Sequence, residues 1–349
     1  MAILQANNVQ STSVSKASAI LFLFLLFSPA LTYSQCCSTG SPVGATVYVG
    51  VLAKNNLRFV AYYRNSYSNA YYQGDSKTDV NVPLKFSYYN FSGLALSYGI
   101  TKRLTVEADF GYFFNKTQEF KPIVYDSTET IEIKETGYGL TNGGVAFKYA
   151  LYIKPSRQIE FTAGAGFRYP FTTKPQVIDN VQLPRDVQPS TNAFAVNAML
   201  FFNKGWPGVG IRLFTLNRFE YNFPDKQKYQ YGSVLLNSVF FSKKIIPYFF
   251  AIVQLRSEWR SHDNDYTDVY ENGSSSVRPN SGNYLLILSP QLSYSIAGKW
   301  NVSVLYDIPL YKYYNGKQLT PKYSFALSVS HDFDLNRKKP KVDIETLPK

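Results

Sequence analysis

"PKYSFALSVSHDF", residues 321–333, is the stretch whose reading decides the fold. Tyr323, Phe325, Leu327, Val329 and, after His331, Phe333 are large and apolar or aromatic. Between them stand Ser324, Ala326, Ser328, Ser330 and Asp332. Successive strand side chains point to opposite faces, so this spacing predicts a strand with one oily and one polar face. In a soluble sandwich the oily face meets a second sheet. In a membrane barrel it meets lipid.

The same alternation recurs upstream. In "LTVEADFGYFF" (104–114), Leu104, Val106, Ala108, Phe110 and Tyr112 oppose Thr105, Glu107, Asp109 and Gly111. In "IEFTAGAGFRYPF" (159–171), Ile159, Phe161, Ala163, Ala165, Phe167, Tyr169 and Phe171 oppose Glu160, Thr162, Gly164, Gly166 and Arg168. "NVSVLYDIPL" (301–310) sets Val302, Val304, Tyr306, Ile308 and Leu310 against Ser303 and Asp307. Twelve strands are expected, over 57–64, 91–100, 104–114, 138–152, 158–171, 192–203, 208–222, 229–242, 247–260, 282–296, 300–313 and 321–333. The phase blurs in 138–152 and in 229–242.

The connections alternate in length. "TKR" (101–103) and its counterparts are short, whereas 65–90, 115–137, 172–191 and 261–281 are long. Outer-membrane barrels of bacteria have short periplasmic turns, long external loops and an even strand number. That arrangement places both termini in the periplasm. Aromatics gather at both strand ends. Tyr62, Tyr63, Tyr112 to Phe114, Tyr169, Phe171, Tyr221, Phe223, Trp259, Tyr311, Tyr313 and Tyr314 lie on the loop side. Tyr98, Tyr152, Trp206, Tyr248, Trp300 and Phe333 lie on the turn side. Two interfacial girdles are the expectation, and a sandwich has no use for them.

Composition agrees. Of 349 residues, 29 are Tyr and 26 Phe, with only two Met and two Cys. Aromatic side chains suit a pleated surface, and this balance is poor for a helical enzyme. After the N-terminus no segment reaches the ~18–20 apolar residues of a membrane helix. Near the start, Lys16 precedes the apolar run "AILFLFLLF" (19–27) and a small-residue site before Gln35. Residues 1–34 therefore read as a cleaved signal peptide. The expected organisation is a signal over 1–34, a periplasmic segment over 35–56, the barrel over 57–333 and a periplasmic tail over 334–349. The adjacent Cys36 and Cys37 do not form a disulfide framework, and no lipobox precedes them. The formal charge is +12, of which one unit leaves with Lys16. No nucleic-acid module accompanies it. Lipopolysaccharide phosphates and anionic solutes are the expected anionic partners.

The 321–333 strand resembles the terminal signal that barrel assembly machinery reads, carried by Tyr323, Phe325, Leu327, Val329 and Phe333. The polar tail "DLNRKKPKVDIETLPK" departs from that pattern. "GYGLTNGGVAFKYALY" (137–152) resembles a strand of barrels related to the phenol-degradation meta-pathway and fatty-acid transporters, without the aspartate often found after the second glycine. "QCCSTGSPVGA" (35–45) looks like Bacteroidetes-type barrels. These resemblances imply the outer membrane of a Gram-negative cell and suggest transport.

In such a barrel the inward face carries the function. Its charged set comprises Arg58, Arg64, Glu107, Asp109, Lys148, Glu160, Arg168, Arg212, Arg218, Glu220, Arg256, Glu258 and Asp307. Two readings stand: a polar pore that screens solutes, or a filled lumen whose charges hold the wall closed. Phe250, Ile252 and Leu305 share the inward register and allow an apolar patch. A third reading is a hydrolase at the loop rim. His262 in "RSHDNDYTD" neighbours Asp263 and Asp265, a conceivable water-activating pair. His331 reads better as an interfacial residue. Asp263, Asp265 and Asp268 fail the calcium-loop pattern, with Asp268 where glycine belongs and Ser274 where an acid belongs. No cofactor is expected. The leading expectation is a porin or substrate-biased channel for small solutes. A closed barrel with working loops comes second.

Overall fold

The computed structural model describes residues 50–80, 84–125, 129–267, 276–296 and 300–335. The signal segment, Cys36, Cys37, Asp268, Ser274 and the tail beyond Leu335 lie outside them. The chain divides into two units, Met1–Tyr33 and Ser34–Lys349, and the described residues belong to the second.

They form an antiparallel barrel of eleven continuous strands. In chain order these are β1 (Asn56–Gly74), β2 (Leu84–Gly99), β3 (Leu104–Phe120), β4 (Gly143–Lys154), β5 (Ile159–Tyr169) and β6 (Ala195–Trp206). There follow β7 (Ile211–Asn222), β8 (Val234–Ile246), β9 (Phe249–Arg260), β10 (Asn283–Ile296) and β11 (Trp300–Asp334). The last is a long hairpin. Its first arm pairs with β10 from Trp300 to Tyr314, and its second returns along β1 up to Asp334. Ser303 and Ser328 hydrogen-bond between the arms at 2.7 Å. Counting each arm gives the twelve crossings expected from the sequence. β1 also pairs with β2, from Leu57↔Tyr98 to Ser68↔Ser87, so the sheet closes on itself. Closure satisfies the backbone of every strand internally, the condition for crossing a bilayer without helices.

The alternation is realised side chain by side chain. On β11, Val304, Tyr306, Ile308 and Leu310 point out and are exposed, while Ser303, Leu305 and Asp307 point in and are buried. Leu292, Val304 and Leu310 are each more than half exposed. A continuous oily exterior of this kind would be an aggregation surface in water and is the normal face toward lipid. Trp206, Tyr248, Trp300 and Phe333 are exposed at the short-turn end. Tyr112, Tyr169, Tyr221, Trp259 and Tyr313 are exposed at the other. Three of the residues expected in the loop-side girdle are elsewhere: Tyr62, Phe113 and Tyr314 are buried and inward. Tyr62 shares its parity with Arg58 and Arg64, so the strand phase overrides the aromatic character.

The strands of blurred phase are interrupted. The expected 138–152 strand breaks at Thr141–Asn142 into Lys134–Leu140 and β4, both paired with β3. The expected 229–242 strand joins two elements. Tyr229–Gln230 pairs with Asn264–Asp265 in a small loop sheet, and the barrel strand starts at Val234. The expected 65–90 loop is mostly strand, because β1 runs to Gly74 and β2 starts at Leu84.

Candidate functional site

The lumen is filled in layers. Along β7, from the short-turn end to the loop end, the inward residues are Arg212, Phe214, Leu216, Arg218 and Glu220. Along β9 they are Phe250, Ile252, Gln254, Arg256 and Glu258. Each strand carries two apolar residues on the turn side of its central charges, and β7 adds Arg212 at the turn itself.

The middle is a belt of ion pairs. Asp307 accepts hydrogen bonds from Arg64, from Arg256 at 3.1 Å, from Ser289 at 2.5 Å and from Ser324 at 2.7 Å. These partners come from both sides of its strand, so one carboxylate ties five wall segments together. Across the lumen, Arg218 pairs with Glu220 at 2.5 Å and Arg168 with Asp109 at 3.8 Å. Lys148 pairs with Glu107 at 2.7 Å, and Ser97 donates to the same carboxylate. Glu220 also lies within electrostatic reach of Arg168, and Glu258 of Arg64. Arg58 holds Asp332 through two bonds of 2.6 Å nearer the turns. Burying such charges is tolerable only because each meets an opposite charge and further donors.

The thirteen sequence-derived charges share the strand parity of buried residues such as Val60, Thr105, Thr162 and Phe214. Glu160 takes a distinct role. It accepts the backbone N–H of Val51 at 2.8 Å, and Thr105 accepts that of Leu52 at 2.8 Å. Residues 50–53, expected outside the barrel, thus run along its inner wall at the short-turn end. The Ala53 carbonyl occupies the place a side chain at Gly99 would need.

Among the described residues four apolar clusters are buried, and two of them border the charges described above. Met199, Phe201, Phe214, Leu216, Phe240 and Ile252 pack together, with Phe250 against them. Phe214 and Phe240 stack at 4.4 Å. Tyr62, Phe91 and Phe113 form a second cluster, and the Tyr62 ring occupies the space left by the missing side chain of Gly93. The sequence reading missed most of these residues, although their parity with Arg212 and Arg64 was the available signal.

The loop end is covered from within. Pro184–Gln188 folds against the inward face of Lys134–Leu140, where the Val187 carbonyl fills the space beside Gly137. Lys116 donates to the Gln188 carbonyl at 3.1 Å. The Asn142 amide donates to Thr191 and to the Ala193 carbonyl, both at 2.8 Å, and accepts from Ser190 at 2.6 Å. Arg185 pairs with Asp225 at 2.6 Å and lies 4.0 Å over the Tyr229 ring. Tyr229 donates to Asp263 at 2.6 Å. Burial, then the Asp263 carboxylate, pushes the Tyr229 hydroxyl well above its usual range, so it remains a donor.

These bonds bear on the rim-hydrolase reading. Asp263 is occupied by Tyr229 and by the Gly232 N–H, and Asp265 by Thr267 and Arg278. The His262 ring meets the Arg278 carbonyl at 3.3 Å rather than either acid. His331 stacks outward between Trp300 and Phe333, at 4.3 and 4.2 Å, while its neighbour Asp332 points inward to Arg58. Among the described residues no cluster of metal-ligating side chains is present.

No family model and no curated protein sequence matches the chain. The fold has solved counterparts. The COG4313 outer membrane channel from Pseudomonas putida F1 superposes with a TM-score of 0.61 at 12% identity, covering 82% of this chain and 99% of that one. Two further barrels also align. The NanC porin has a TM-score of 0.43 and 11% identity, covering 78% of this chain and 98% of its own. The KdgM porin has 0.39 and 9%, covering 79% and 99%. The likeness to the COG4313 channel shows the fold, an outer-membrane β-barrel.

Proposed function

We propose that the chain is an outer-membrane channel for small polar solutes, closed at rest by its charge belt and by the inward loop. The observation that carries this reading is the interior. A soluble-like apolar core would be the simplest filling for a purely structural barrel. This barrel instead lines its middle with paired charges of both signs, which can exchange partners with a solute. Arg58, Arg64, Glu107, Asp109, Lys148, Glu160, Arg168, Arg212, Arg218, Glu220, Arg256, Glu258 and Asp307 would form the selectivity and gating surface. Both termini would lie in the periplasm, and Tyr323, Phe325, Leu327, Val329 and Phe333 would serve the assembly machinery. Lipopolysaccharide would contact the loop-side girdle.

The stapled loop favours a second reading, a closed barrel whose external loops bind a partner. Planar-bilayer recording of the refolded mature chain separates the two. Stepwise ohmic currents, frequent or rare, are expected for the channel. Silence from barrels shown to be folded, including a variant without residues 174–190, would transfer the function to the loops.

A further inference from the structure

The short-turn end of the lumen holds a cavity of about 550 Å³, within the size range of small-molecule sites. Its wall is rich in hydroxyls. Ser242, Ser293, Ser295, Ser303 and Ser330 line it together with Asn301. Ser293 stands in register between Phe250 and Ser303, so the hydroxyls cross from β10 to β11 on one inward face. A serine hydroxyl donates one hydrogen bond and accepts two. One that already meets a neighbour, as Ser303 meets Ser328, can therefore take another.

The polar column continues deeper. The inward residues of β10 run Ser295, Ser293, Gln291 and Ser289, and Ser289 donates to Asp307 in the charge belt. Gln291 stands one rung above Ser293, in register with Ile252 on one side and Leu305 on the other. Its amide is thus flanked by alkyl groups. Among the described residues, Gln291 Nε2 has no hydrogen-bond partner, and neither does Gln254 Oε1 on the adjoining β9. Both side chains are buried. A hydroxyl brought to such an atom completes a bond that the fold leaves unmade.

The charges of the lining are engaged or wet. Arg58 holds Asp332 through both oxygens, Arg212 has a partner of its own, and Lys244 is exposed at the mouth. An anion entering the cavity would lose hydration without meeting a buried cation that lacks a partner. One flat apolar surface completes the site. Phe250 lines the cavity beside Ser293 and is backed by the Met199–Ile252 cluster.

We propose that this cavity binds neutral hydroxylated rings, of the monosaccharide or cyclitol kind. The C–H face of the ring would lie on Phe250, and its edge hydroxyls would meet the serines and Asn301. The deepest hydroxyl would accept from Gln291 Nε2. The proposal deepens the channel reading, on which it rests for the cavity's place on a solute path, but binding itself does not require conduction.

Saturation-transfer NMR on the full mature chain in detergent tests this with probes that share a ring size: glucose, myo-inositol, glucuronate and the ammonium form of glucosamine. Saturable transfer to glucose or myo-inositol is expected, with affinity at least ten-fold above both charged probes. Gln291→Leu keeps the shape and removes an unpaired amide, so the variant should fold as well as the parent. It should weaken the neutral probes at least ten-fold, and so should Phe250→Ala. Tighter binding of glucuronate than of glucose would overturn the proposal, because charge would then choose the solute. Equal, non-saturable transfer to all four probes would overturn it too, as would unchanged glucose affinity in folded Gln291→Leu. The comparison of probes on the unaltered chain decides the matter even if a variant does not fold. Bilayer recording on the same preparation keeps the two readings apart. Glucose binding by a silent barrel would sink the channel and spare the site, whereas ohmic steps without binding would do the reverse.

Discussion

Arg256 reaches past β10 to place an N–H 3.1 Å from the carboxylate of Asp307, the same oxygen that Arg64 approaches from the other side. Both guanidinium groups and the carboxylate are nearly fully buried. One acid is therefore shared between two arginines that would otherwise repel each other within the wall, with Glu258 also in electrostatic reach of Arg64. Asp307→Asn keeps the shape and removes the charge. Breaking a buried pair from one side costs about 3–5 kcal/mol, because the remaining charge is left uncompensated. Urea unfolding in detergent should show a loss of that order. An unchanged midpoint would mean that water already solvates these arginines.

The 170–194 loop depends on Asn142. Its side chain makes three hydrogen bonds to the loop, each worth about 0.5–1.5 kcal/mol net. Asn142→Ala should free the loop without opening the barrel, since the bonds lie at the interruption between Lys134–Leu140 and β4. Trypsin then gains access to the Arg185–Asp186 bond, and cleavage there should accelerate at least ten-fold. Current steps should also become more frequent. Cleavage at the parental rate would show that Lys116 and Arg185 hold the loop alone.

Much of this barrel was legible in the chain, because period two fixes which face each side chain takes. Ser303, Leu305 and Asp307 were assignable from parity alone, and so was the answer to the 321–333 strand. Two interruptions announced themselves as blurred phase: Asn142 turns its side chain to the loop, and Tyr229 belongs to the loop sheet. Parity does not say which inward groups meet. Arg64 and Asp307 are 243 residues apart, and only barrel closure through β1 and β11 brings them together. Tyr62, Phe113 and Tyr314 were placed by the habits of aromatic residues at membrane interfaces, when their own strand phase pointed them inward. The loop cap left no sequence signal, because Val187 and Gln188 are buried by tertiary contact rather than by periodicity.

Acid should loosen the loop sheet. Burial alone would raise the Asp265 carboxyl, but hydrogen bonds from Thr267 and the Arg278 guanidinium outweigh it and hold the carboxyl below its usual range. A depressed folded value contributes stability that is present above the unfolded carboxylate range, about pH 4, and lost as pH falls through the folded value. Protection factors for the Asn264–Asp265 and Ser276–Val277 amides, corrected for intrinsic exchange, should fall below that range. Asp265→Asn should lower them at neutral pH and remove the acid dependence. Protection that is constant from pH 6 to pH 3 would show that Arg278 contributes nothing there.

Ser303 and Val304 are neighbours on one arm of β11 and face opposite media, the first toward the cavity and the second toward lipid. A lysine at each position should therefore act in opposite ways. Val304→Lys places a charge on the oily exterior, which costs about 2–4 kcal/mol at the bilayer midplane and less toward its edges. Ser303→Lys keeps its charge in a polar interior and should leave stability within about 1 kcal/mol, but it fills the cavity at the short-turn end and adds a positive charge there. Unfolding from lipid vesicles reads the first effect, and anion selectivity in bilayers reads the second. Equal destabilisation at both positions would mean that this arm does not divide lipid from lumen, and the assignment of inward and outward faces would fail with it.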